Sequence, residues 1–170
     1  MSRQPGWYDI ATLGTQASNE SASFDREGIL KTMNKITELL DYEIHKVGSP
    51  KRVILGGFSQ GAACSLLTGH AYKDKIGGIM CLSGYMILPE DAPTLYQQKD
   101  VPTLMYHGTA DQIVTIARAR ETKQNLDKMG ISGVTYLEEA GLGHSFSMRE
   151  VSRISSFIQE VFAATNADQP

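Results

Sequence analysis

Residues 53–63 read VILGGFSQGAA: an apolar run, two glycines, a serine, then small residues. Three structures would want such a corner: a phosphate-binding loop, a serine on a tight strand-to-helix turn, or a close-packed junction with no chemistry. A phosphate loop needs Lys-Ser/Thr directly after its last glycine, and Gly61 is followed by Ala62 and Ala63. The dinucleotide fingerprint needs a glycine where Ser59 stands, because a Cβ there would hold the backbone off a pyrophosphate. Gly57-Phe58-Ser59-Gln60-Gly61 does fit G-x-S-x-G, the turn that lifts a serine hydroxyl clear of a sheet's C-terminal edge. Glycine two before and two after the serine relieves the crowding. The helix that follows turns its positive end toward the reacting oxygen.

Outward from this corner the chain alternates strands and helices. Residues 53–57 are a short apolar run that suits a strand buried on both faces. A helix follows to about Ala71. Residues 76–83 (IGGIMCLS) and 101–107 (VPTLMYH) read as two more buried strands, with mostly loop between them. Residues 116–129 predict a helix closed by Gly130, and 134–137 a short strand. Before the corner, Ile29, Met33, Ile36, Leu40, Ile44 and Val47 recur at helical spacing, with Ser23 as N-cap and Gly48 as stop. Residues 14–23 (GTQASNESAS) read as a polar loop. At the far end Ser147-Met148-Arg149-Glu150 fits a capping box, with Val151, Ile154, Ile158 and Val161 as the apolar stripe and 164–170 as a frayed tail. The pattern predicts an α/β fold, a parallel sheet with right-handed crossovers, in one domain over 1–170.

Composition narrows the function classes. The chain has 170 residues, 41% hydrophobic and 21% charged, with net charge −3 and no Lys/Arg block. That balance argues against nucleic acid as a partner and allows at most a transient membrane-surface contact. No apolar stretch approaches the roughly 20 residues of a membrane span. Cys64 and Cys81 both sit in apolar settings and read as buried, reduced thiols, which points to a cytoplasmic or nuclear residence. No C-x-x-C or H-E-x-x-H pattern is present, so neither metal nor cofactor is expected.

A serine alcohol is a weak nucleophile without an adjacent base, and the base needs a third group to orient it. On this topology the order is serine, acid, histidine. Of four histidines, His45 lies late in a helix and reads as solvent-facing, His70 ends a helix and reads as a cap or surface residue, and His107 precedes the acid. His107 at a strand end suits a structural hydrogen bond. His144, in AGLGHSF, lies in a glycine-rich loop at the same sheet edge as Ser59. Asp111, in HGTADQIV, follows the strand ending at His107; its plain alternative role is closing an Asx-turn. Asp91, Asp100, Glu138 and Glu139 are less well placed.

GGFSQGAA, LSGY, HGTADQIV and GLGHSF, with WYDI near the start, together resemble the acyl-protein thioesterase/carboxylesterase family of α/β-hydrolases. The resemblance runs from about Trp7 to the last helix. It implies Ser59 as nucleophile, Asp111 as orienting acid, His144 as base, and the Gln60 backbone N–H as half of the oxyanion hole. It implies an acylated protein, a lysophospholipid or a small carboxylic ester as substrate, and no metal or cofactor.

Two departures stand out. Thr115 occupies a position where the family commonly has proline. Nothing before WYDI resembles the family's first strands or the HG-type loop that donates the second oxyanion N–H. The expectation is therefore an N-terminally shortened α/β-hydrolase whose serine-bearing strand has an open edge. Loss of one oxyanion donor costs about 10²–10³ in turnover, which leaves open an impaired remnant or a binding-only protein.

Overall fold

A computed structural model of the chain describes residues 6–9 and 24–167. The expected loop over 14–23 and the Ser23 cap lie outside them. Helix α1 spans Arg26–Val47, and its cap is Asp25, whose carboxylate accepts from the Gly28 N–H at 2.9 Å. It stops where expected: Gly48 takes φ 76 and its N–H returns to the Ile44 carbonyl, the left-handed closure that glycine makes without strain.

A 3₁₀ turn at Pro50–Arg52 leads into strand β1, Ile54–Phe58, then helix α2, Gln60–Ala71. Strand β2 is Gly78–Leu82, α3 a single turn at Ala92–Leu95, β3 Thr103–Gly108, α4 Ile116–Lys128, β4 Val134–Glu139 and α5 Met148–Ala167. Strand β4 runs two residues beyond the expected end, pairing His107 with Glu138 and Gly108 with Glu139. Helix α3 lies in the stretch read as mostly loop. Helix α5 continues to Ala167, past the expected start of a frayed tail, and the buried Thr165 hydroxyl reaches the Lys51 carbonyl at 3.1 Å.

The four strands among the described residues are parallel and lie in chain order, β1-β2-β3-β4. When successive right-handed crossovers step the same way across a sheet, their helices fall on one face. Leu55, Ile79, Cys81, Met105 and Tyr136 accordingly share a core with residues of α1, α2, α3 and α4. The alternate residues Ile54, Met80, Leu104 and Leu137 pack under Ile154, Phe157 and Val161 of α5. Val151, expected in that stripe, is exposed; the sheet meets α5 along Ile154, Phe157 and Val161 instead.

Helix α2 is sandwiched between α1 and the sheet, and Ala62 through His70 are all buried. Leu66 and Leu67 each contribute about 1.5–3 kcal/mol by leaving water. His70 is thus not a surface cap. It is fully buried, and its Nδ1–H donates to the Gln98 carbonyl at 2.7 Å. Cys64 and Cys81 are buried and free. Among the described residues β1 pairs only with β2, and Gly56 on it is exposed. No helix among these residues is long and apolar enough to cross a membrane.

Candidate active site

Ser59 sits between β1 and α2 at φ 56 and ψ −120, a backbone state that costs a non-glycine residue of order 1–3 kcal/mol. Its N–H donates to Leu82 on β2 and its carbonyl accepts from Ala63. Gly57 is required: a Cβ there would run into the Gly61 carbonyl and lie 2.7 Å from the Ala62 nitrogen. Gly61 is under less constraint than expected, since an added Cβ would meet only the Trp7 indole, at 3.4 Å.

His144 reaches this turn from the loop after β4. Its Nε2 lies 2.9 Å from Ser59 Oγ and its Nδ1 2.7 Å from Asp111 Oδ2. A carboxylate only accepts, so Nδ1 carries the proton and Nε2 offers its lone pair to the serine O–H. The ring leans on Phe58, centroids 4.7 Å apart, and Phe58 in turn on Phe146 at 4.5 Å.

Asp111 is buried and holds both roles weighed for it. Oδ1 accepts from the Ile113 and Val114 N–H groups at 2.8 and 2.9 Å, closing the turn, while Oδ2 faces His144. Thr115, at the end of this turn, has φ −62, the value proline would impose, so the departure at this position leaves that backbone angle unchanged.

The two loops that deliver Asp111 and His144 are joined by backbone N–H donors. Thr109 N–H donates to Glu139, Ala110 N–H to Leu142, and Gly141 N–H to the Thr109 hydroxyl. Gly108 permits the approach, because a Cβ there would collide with the Leu142 carbonyl. Glu139 braces the far side: its carboxylate accepts from Ser147 Oγ and Tyr106 Oη, both at 2.6 Å, and these bonds hold it below the usual carboxylate range. Ser147 also caps α5, accepting from the Glu150 N–H at 3.0 Å. The return half of the expected capping box is loose: the Ser147 backbone N–H acts on the Glu150 carboxylate, but neither carboxylate oxygen makes a hydrogen bond of normal geometry among the described residues.

Gln60 opens α2, and its N–H is one of those a helix start leaves without an intrahelical acceptor. Its side chain, which sequence reasoning passed over, clamps the segment at 6–9. Oε1 accepts from the Trp7 N–H at 2.9 Å and Nε2 donates to the Tyr8 carbonyl at 2.7 Å. The rival acids are spent elsewhere: Asp91 on Arg26, Asp100 on Lys75, Glu138 on Arg120. His45 is exposed on α1. A serine alcohol facing a carboxylate-oriented imidazole is chemically equipped for nucleophilic attack.

Comparison with known proteins points the same way. A sequence profile described as phospholipase/carboxylesterase matches residues 1–162. Acyl-protein thioesterase 1 of Aspergillus fumigatus is 34% identical over 163 residues, which cover 92% of this chain and 68% of that protein. Acyl-protein thioesterase 1 of Emericella nidulans is 33% identical over 168 residues, 95% and 70% of the two chains. The crystal structure of Arabidopsis thaliana SOBER1 superposes with a TM-score of 0.84 at 26% identity, covering 92% of this chain and 74% of that one.

Proposed function

The chain belongs to the phospholipase/carboxylesterase family of α/β-hydrolases, and from that premise we propose that it is a serine hydrolase of fatty-acyl thioesters on proteins and of carboxylic esters, with Ser59, His144 and Asp111 as its triad. The observation that carries the reading is the hydrogen-bonded relay from Ser59 Oγ through both nitrogens of His144 to Asp111. The thioester preference rests on the names of the fungal relatives.

In this reading Ser59 Oγ attacks the acyl carbonyl carbon as His144 Nε2 takes its proton. Asp111 holds the imidazole in the required tautomer and stabilises the imidazolium. The oxyanion is met by the Gln60 N–H, whose position at the head of α2 adds the favourable end of the helix dipole. The C–S or C–O bond breaks, and the leaving thiol or alcohol takes the proton from His144. Water then attacks the acyl-enzyme, His144 accepts its proton and returns it to Ser59, and the fatty acid departs.

The test is hydrolysis by the purified chain of a palmitoylated peptide thioester beside its oxygen-ester counterpart. Faster release of thiol than of alcohol supports the thioester reading. Equal or reversed rates favour a lysophospholipase or small-ester carboxylesterase. A cytoplasmic or nuclear residence belongs to the same proposal, supported by two buried free thiols, and is checked by fractionation.

A further inference from the structure

His107 is the penultimate residue of β3 and is 2% exposed, yet it lies beside the relay. Its Nε2 is 2.7 Å from the Val114 carbonyl oxygen. A carbonyl cannot donate, so Nε2 carries a proton. That same Nε2 stands 3.4 Å from Asp111 Oδ2, the oxygen that accepts from His144. Asp111 Oδ2 is therefore flanked by two imidazoles, and its side chain is wholly buried.

The turn carrying Asp111 is a small loop with two ties. The Asp111 carboxylate draws in the Ile113 and Val114 amides from one side. His107 holds the Val114 carbonyl from the other. Cutting the second tie leaves a buried carboxylate with one N–H dipole fewer and a turn free to rotate. A further charged neighbour of His107 is Glu138, its register partner on β4, which is occupied by the Arg120 guanidinium.

Resting on the hydrolase reading above, we infer that His107 is a positioning residue: its Nε2–H locks the turn of residues 111–114 and so aims the Asp111 carboxylate at His144. It touches no reacting atom. Its loss lowers kcat and leaves KM nearly unchanged, because the misplacement falls on the proton relay and not on substrate binding.

The test compares His107→Leu with His107→Gln, whose amide N–H reaches about as far as the imidazole Nε2. With p-nitrophenyl butyrate as substrate, the leucine variant is expected to lose roughly tenfold to a hundredfold in kcat, the scale of a displaced catalytic group. The glutamine variant recovers most of it, and KM stays within about twofold in both. Should the leucine variant not fold, His107→Asn, a polar side chain too short to reach Val114, replaces it. A second readout needs no turnover: the downfield proton resonance of His144 Nδ1–H is retained in the glutamine variant and broadened or lost in the leucine or asparagine one. Unchanged kcat and resonance in the leucine variant, or equal losses in leucine and glutamine, overturn the inference. An inactive wild type whose resonance follows the expected pattern counts against the hydrolase reading and leaves the positioning role standing.

Discussion

The backbone N–H of Ser59 donates to the carbonyl of Leu82 at 2.9 Å. A residue at φ 56 is thereby held on the neighbouring strand, and the strain of the turn is carried by the sheet and not by the loop alone. The space for that turn comes from Gly57, with Gly61 tolerating more.

Gly57→Ala and Gly61→Ala should therefore behave differently. At 57 the new methyl meets backbone that cannot step aside, and about 1–3 kcal/mol of stability should go, with the serine displaced. At 61 it meets only the edge of the half-exposed Trp7 ring, and the loss should be smaller. Urea unfolding of both variants is the check; equal stabilities would mean that the turn relaxes more easily than its contacts imply.

The buried His70 makes a prediction about acid. Burial holds its imidazole down at about 4, with Lys99 adding to the effect and the bond to Gln98 opposing it. In the unfolded chain it protonates near 6.5, so its contribution to stability is complete above that pH and is lost as pH falls from 6.5 toward 4. The full loss is roughly 3 kcal/mol at 1.36 kcal/mol per pH unit. Urea midpoints at pH 7 and pH 5 should differ in the wild type and differ less in His70→Gln, which cannot protonate. The same pH slope in both would assign the acid sensitivity elsewhere.

Glu150 carries the opposite sign. Burial, joined by the nearby Glu139, raises its carboxyl above the ordinary 4.5, against the pull of the Ser147 backbone N–H. A raised carboxyl favours the fold below 4.5 and gives up that contribution as pH climbs through the folded value. Glu150→Gln keeps the shape without the charge. It should match the wild type near pH 4 and melt at a higher temperature at pH 7.5. A lower melting temperature at pH 7.5 would show that the carboxylate has a partner in solution.

What the sequence could and could not reveal follows from how local each cause is. The turn at Ser59 was legible because its glycine requirement is met within five residues. Asp111 was legible for the same reason: a carboxylate two and three residues before the amides it binds is a short-range pattern. His144 was recovered through chain order at one sheet edge. His70 was misread because its burial comes from Tyr96, Gln98 and Thr103 closing over the ring, contacts between distant segments. The phase of α5 was off at Val151 because the sheet, not the helix, decides which side is covered. His107 looked like a strand-end histidine with one structural bond; that its Nε2 also faces Asp111 depends on how the turn at 111–114 folds back.

The most direct test of the central claim is covalent labelling by a fluorophosphonate, followed by intact mass and peptide mapping. A single adduct on Ser59 in the wild type, absent in Ser59→Ala and strongly slowed in His144→Ala, is the predicted result. An adduct that persists in Ser59→Ala, or a wild type that takes none, would contradict it.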